Sequence, residues 1–295
     1  MNNKIGIYFA YWVQEWGADY TIYIKKVKQL GFDILELSTA NLVDMKQDIR
    51  REIRRTAEEN GITLTFCLGT PPQYDMSSPE ESVRRSGIEY AKRTLEAIND
   101  MGGKTYGGIN YACWPVQKQP TSLDEKAQYR ERSLESLRYV IPEAEGYGIN
   151  YCFEIVNRFE QFLLNTAEEG AAFCKDIGSD YAKLMLDTFH MNIEEDDFAQ
   201  ALETAGSYLG HFHIGEPNRK TPGTGRMPWR DIIKALKKID YCGALVMEPF
   251  LMPGGQVGED IRVWRDLSDG ADESELDDKA ALAYRYIRAS LDSVY

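Results

Sequence analysis

The chain has 295 residues, 43% of them hydrophobic, and a formal net charge of −13. A chain of this size buries roughly three quarters of its unfolded surface, which suits one large α/β domain or two small ones. The acidic balance argues against a nucleic-acid backbone or an anionic membrane as partner, and no run approaches the roughly 20 apolar residues of a membrane span.

In chain order, residues 4–8 read as a first strand, and Asp19 as the cap of an amphipathic helix that runs to Leu30 and stops at Gly31. Residues 34–37 form a second strand, 48–60 a charged helix ending at Gly61, and 63–68 a third strand. A long helix over 80–101 leads to a weaker fourth strand, 104–109. Residues 124–147 are helical in pattern, with Pro142 set to break or kink them. The second half repeats the rhythm. Strands at 150–154, 182–187, 209–214 and 244–248 alternate with helices at 166–177, 197–205, 229–238 and 277–291. Pro228 precedes the third of these helices, a favourable entry.

Alternating strands and helices at this spacing imply parallel strands. Eight such units without a linker or composition break predict one (β/α)₈ TIM barrel over residues 1–295. Loops at 69–79, 110–123, 215–227 and 249–274 are long and rich in Gly, Pro and aromatics, and they fall on the C-terminal face. Loops of that length read as walls and lids of a small-ligand pocket.

Four successive strands end in chemistry. NYCFE ends in Glu154, AKLMLD in Asp187, LGHFHI reaches His213 near its end, and ALVME ends in Glu248. One acid at a strand end is an ordinary cap or solvated turn. Four at the same edge of consecutive units predict one metal site built from strand tips. Three carboxylates and an imidazole make a hard ligand set, suited to Mn²⁺, Co²⁺ or Mg²⁺ rather than a structural zinc. Such an ion could take a ketose through its carbonyl and neighbouring hydroxyl and stabilise an enediolate after C–H deprotonation. Glu154 and Glu248, from strands expected to face each other across the barrel, could remove a proton from one face and return it to the other.

The chain's three histidines all lie between positions 190 and 213. His211 and His213 are two apart, so they share a face of one strand. His213 is nearer the C-terminal end and is the expected ligand, with His211 a satisfied interior group one layer deeper. His190 lies past its strand, placed for substrate. The stretches NRFE (157–160) and EPNR (216–219) follow two of the expected ligands; each reads either as a surface turn or as a set of substrate contacts, and their position just beyond the ligands favours the second.

Five scattered cysteines (Cys67, Cys113, Cys152, Cys174, Cys242) lack CxxC spacing, so neither a disulfide framework nor a thiolate metal site is expected. The N-terminus lacks the charged start, apolar core and cleavage site of a signal peptide. A cytoplasmic setting with mostly buried thiols is the expectation.

The motifs GIYFAYW (6–12), GFDILEL (31–37), FEIVNRFE (153–160), LDTFHMNIEE (186–195), GHFHIGEPNR (210–219), VMEPF (246–250) and VWRDLSDGAD (263–272) together resemble the ketose 3-epimerases of the D-tagatose and D-psicose (D-allulose) 3-epimerase group. These are xylose-isomerase-like barrels. The resemblance covers nearly the full length and is densest after Phe153. It implies that Glu154, Asp187, His213 and Glu248 bind Mn²⁺ or Co²⁺, and that Glu154 and Glu248 are the acid/base pair at C3. It implies that Glu160, His190 and Arg219 hold the O1–O2 end of the sugar, that Tyr8 and Trp114 line the pocket, and that the protein forms homodimers or homotetramers. The chain departs from the common pattern at 67–70 (CLGT), at 109–113 (INYAC), at Ile214 and at Pro217. These positions belong to the walls, so the resemblance reaches the reaction class and leaves the preferred ketose open. A sugar isomerase or sugar-phosphate epimerase of the same superfamily is the alternative, with the basic loop RKTPGTGR (219–226) as its phosphate cradle.

Overall fold

The computed structural model describes residues 1–293. Eight parallel strands close into one barrel in chain order, the last pairing with the first. They are β1 (Ile5–Tyr8), β2 (Ile34–Ser38), β3 (Thr63–Cys67), β4 (Thr105–Gly107), β5 (Asn150–Glu154), β6 (Ala182–Asp187), β7 (Leu209–Ile214) and β8 (Leu245–Met247). Parallel strands under a helical layer are covered on both faces, so they read as near-continuous apolar runs. β1 and β2 accordingly have no exposed residue.

Local chemistry sets the outer layer. Asp19 accepts a hydrogen bond from the Thr21 amide at the start of the helix Tyr20–Leu30, and Gly31, at φ 95°, closes it. That helix buries Tyr20, Ile24 and Val27, the spacing of one helical face. Thr166 caps Ala167–Ile177 in the same way, through the Glu169 amide.

The eight expected strands are all present, and the differences from expectation concern boundaries and additions. The helix expected over 124–147 is two, Leu123–Leu137 and Ile141–Tyr147. Pro142 sits in the first turn of the second, where its missing N–H costs nothing. β4 is three residues long, and Glu248 lies one residue beyond β8. The loop expected over 249–274 contains a short helix, Gly255–Asp260, and the closing helix begins at Glu273. A further helix, Thr188–Glu194, follows β6 directly and was not foreseen. Seven residues in a loop leave too short a pattern to show helical periodicity. Among the described residues, no helix is long and apolar enough to cross a membrane.

Gly108 joins this frame to the site. Its φ is 112°, and a Cβ there would lie 2.2 Å from the Leu68 carbonyl oxygen, so the turn after β4 admits no side chain. Its own carbonyl accepts the Glu154 amide at 3.0 Å, which fixes the end of β5.

Candidate active site

The barrel register assembles the strand tips. Asp187 on β6 is paired with His213 on β7, and His213 with Val246 on β8, so the carboxylate and the imidazole emerge side by side. Glu154 ends β5. Glu154, Asp187, His213 and Glu248 are all buried, and each offers one ligand atom within 4.8 Å of the others.

Each side chain is held by its neighbours. Asp187 caps the helix Thr188–Glu194. Its Oδ1 accepts the Phe189 amide at 2.8 Å, while Oδ2 accepts Arg219 Nη1 at 2.6 Å. The same Nη1 donates to Glu248 Oε2 at 2.7 Å. Arg219 is at φ 62°, an uncommon conformation for a non-glycine residue. The Arg219 amide donates to the Glu216 carbonyl at 2.9 Å, and its carbonyl accepts the Phe250 amide at 3.0 Å. Its guanidinium lies 4.0 Å from the Phe189 ring centroid, a cation–π contact.

His213 Nε2 bonds Glu36, and its Nδ1 points toward Glu248 Oε1 at 3.5 Å. Among the described residues this buried Nδ1 has no hydrogen-bond partner. An unpaired imidazole nitrogen facing three carboxylates fits a divalent cation, because buried polar atoms are otherwise satisfied. The second grouping of candidate ligands, Glu36, Cys67 and His213, fits one less well. There the imidazole nitrogen is already engaged by Glu36, and burial pushes the Cys67 thiol well above its ordinary range.

The electrostatics agree. Burial, and then the Glu248 charge, push the Glu154 carboxyl well above its ordinary range. Burial also raises Asp187, against the pull of Arg219. Burial would raise Glu248 too, but His213 and Arg219 outweigh it and hold this carboxyl low. Burial disfavours the His213 imidazolium, and the Glu36 and Glu248 charges outweigh it. Three buried carboxylates this close repel one another, and Arg219 bonds only Asp187 and Glu248 among them, which leaves Glu154 without a bonded cation.

The pocket above this cluster, including the part open to solvent, spans about 590 Å³. Tyr8, Trp114, Glu154, Glu160, His190, Arg219 and Glu248 all border it, and Asp187 and His213 do not. Trp114 Nε1 donates to Glu160 Oε2 at 2.9 Å, and Tyr8 donates its hydroxyl to the Cys67 carbonyl at 3.0 Å. The His190 ring is buried, with Nε2 3.8 Å from both Glu154 Oε1 and Asp187 Oδ2. The Asn157 amide and its side-chain Nδ2 both reach His190 Nδ1, at 3.2 and 2.8 Å. Asn157 Oδ1 accepts from the Phe159 amide at 2.9 Å, which settles that Nδ2 is the end facing the ring. Burial, then Arg219, hold His190 neutral. With Nδ1 accepting, Nε2 carries the proton and faces the pocket.

Residues 24–267 match the family described as xylose isomerase-like TIM barrels. The D-psicose 3-epimerase of Ruminiclostridium cellulolyticum is 47% identical over 289 residues, which span 98% of this chain and 98% of that protein. The chain belongs to the ketose 3-epimerases. The D-psicose 3-epimerase of Agrobacterium fabrum is 46% identical over 97% of this epimerase and 98% of its own length. A crystal structure of D-psicose 3-epimerase with D-tagatose from Clostridium cellulolyticum H10 superimposes with a TM-score of 0.95, at 47% identity and covering 98% and 99% of the two chains. With relatives this similar, the protein is an enzyme of the epimerase class.

Sequence reasoning missed three groups in this epimerase. Glu36 is fully buried between the two histidines of β7. Its signal was available, since a glutamate inside the apolar run ILELS is rare unless paired. Asn157 was read only as part of NRFE. Trp16 and Ile261 border the pocket from loops without a recognisable pattern. His211 is interior, as expected, and bonds Glu36 through Nε2 at 2.7 Å, although its Nδ1 has no partner among the described residues.

Proposed function

We propose that this enzyme inverts C3 of free ketoses of the D-fructose/D-psicose and D-tagatose/D-sorbose type. The reading is carried by one observation: Glu154, Asp187, His213 and Glu248 present four converging ligand atoms, and the two glutamates also border the pocket. In this reading the four residues hold Mn²⁺ or Co²⁺, with Mg²⁺ a weaker fit. The ion, when bound, supplies a Lewis acid that polarises the ketose carbonyl.

The chain's own groups do the rest. Glu154 and Glu248 stand three positions apart around the ring of eight strands, close enough to flank C3. One removes the C3 proton and the other returns a proton to the opposite face. His190 offers its Nε2–H, and Arg219 its guanidinium, to the O1–O2 end of the sugar. Trp114 orients Glu160 for the same end. Trp16, Leu68, Ile109 and Phe250 supply apolar walls that exclude water around the distal carbons.

The phosphate alternative is weakened by how the basic loop is used. Arg219 turns into the carboxylates, and Lys220 lies 3.3 Å from Asp269. We further propose a homodimer or homotetramer, for which exposed Trp264 and Phe159 offer apolar surface. Light scattering would measure the mass. A single domain over the chain predicts one calorimetric transition. A cytoplasmic setting agrees with five free cysteines, four of them buried.

The deciding experiment is incubation of the Mn²⁺-loaded protein with D-fructose in D₂O, followed by NMR. D-psicose carrying deuterium at C3 supports the proposal. Aldose formation with deuterium at C1 would make it an isomerase. Inertness toward every free ketose, with turnover of ketose phosphates, would overturn the substrate class.

A further inference from the structure

Glu36 plays no part in the chemistry above, yet it is the most enclosed carboxylate near it. It projects inward from β2, in register with Tyr8 on β1 and Thr65 on β3, and has no exposed surface. Its two oxygens are divided between two rings. Oε2 takes His211 Nε2 at 2.7 Å, and Oε1 takes His213 Nε2. Both rings are themselves fully enclosed.

A carboxylate only accepts hydrogen bonds, so each facing Nε2 must carry a hydrogen. In the neutral His213 ring that a ligand requires, this leaves Nδ1 as the nitrogen with the free lone pair, and Nδ1 is the unpartnered atom aimed at the carboxylate cluster. Glu36 therefore sets both the tautomer and the rotation of the ring. His211 occupies the second oxygen and stops the carboxylate from turning. An outer carboxylate behind a ligating imidazole raises its basicity and orients it.

We propose that Glu36 is a positioning residue for the metal centre, holding His213 so that Nδ1 faces the ion, with His211 as the clamp on Glu36. The proposal rests on the reading of His213 as a ligand. A purely structural role would predict lost stability without a change in the ligand nitrogen.

Glu36→Gln separates the two. An amide has one acceptor and one donor end, so it cannot accept from both Nε2–H groups, and one ring must change its hydrogen. Titration of Mn²⁺ into chelator-stripped protein, followed by calorimetry, should show affinity weakened about 10–100-fold, the usual cost of losing such a partner. His213→Asn is the control. If His213→Asn weakens Mn²⁺ binding while Glu36→Gln binds within threefold of the parent, the positioning role is wrong and the metal reading stands. If His213→Asn binds as the parent does, the metal reading itself fails.

Should Glu36→Gln not fold, the parent decides. In the Mg²⁺-loaded protein, two-bond ¹H–¹⁵N correlation of the His213 ring should show hydrogen on Nε2 only. Hydrogen on Nδ1 with a bare Nε2 would overturn the proposal.

Discussion

Replacing Glu248 with Gln removes one charge from a buried cluster while keeping an oxygen that can accept from Arg219. In the parent, Arg219 Nη1 lies 2.7 Å from Glu248 and 2.6 Å from Asp187, so the guanidinium retains a carboxylate partner in the variant. The Glu248 charge also raises Glu154, after burial, so its removal relieves a repulsion. The metal-free fold should therefore survive, with a melting temperature within about 4 °C of the parent, a shift worth roughly 1–2 kcal/mol in a chain this long. Turnover should fall by about 10²–10⁴, the contribution of a positioned acid or base. At 1.36 kcal/mol per decade this is about 2.7–5.4 kcal/mol of barrier.

Glu154→Gln should match that loss, and isotope exchange should tell the two variants apart. If each glutamate serves one face of C3, each variant still exchanges the C3 hydrogen of one epimer with solvent, and the surviving epimer is opposite in the two. The assay is NMR of D-fructose and of D-psicose in D₂O, at saturating Mn²⁺ with bound metal quantified, because both glutamates are also proposed ligands. Near-normal epimerisation by either variant would refute the two-base arrangement, as would exchange of the same epimer by both.

Chelator treatment should abolish activity and lower the melting temperature, and Mn²⁺ at about 100 times its Kd should restore about 2.7 kcal/mol; superimposable melts with and without metal would contradict the site. Trp114→Phe keeps an aromatic ring at the pocket wall, smaller than the indole, and removes the N–H that Glu160 accepts at 2.9 Å. A hydrogen bond to a charged group is worth about 1.5–3 kcal/mol, and partial exposure of this pair favours the low end, so KM should rise about tenfold with kcat little changed. An unaltered KM would remove Glu160 from substrate binding. Burial pushes Cys113 and Cys174 up to about 12 and leaves Cys242 exposed. Iodoacetamide at pH 8 should therefore add one label, at Cys242, and labelling of a second cysteine in folded protein would contradict the packing. The same burial raises many tyrosines and thiols above their ordinary values of 10.0 and 9.0. Above about pH 9 the folded chain then binds more protons than the unfolded one, so stability should fall as pH rises. Denaturation midpoints that hold steady from pH 7 to 10.5 would disprove this.

The barrel and the four strand-tip groups were legible because both follow from local patterns. Apolar runs of four to six residues, each bounded by turn signals and a helix, dictate parallel strands. A polar residue at the end of such a run can only emerge at the C-terminal edge. Boundaries at Glu248, at Arg138–Val140 and at the short helix Thr188–Glu194 were not legible, since a turn or less of chain carries no periodicity of its own.

What only the tertiary structure decided is which distant residues meet. Glu36 and His213 are 177 positions apart, and Trp114 and Glu160 are 46 apart. Ring closure brings β2 to face β7 across the barrel interior, and nothing in either strand's local pattern encodes that encounter. The sequence determined that four candidate ligands would share one edge. The closed barrel decided that a fifth group, buried beneath them, would hold the imidazole among them in place.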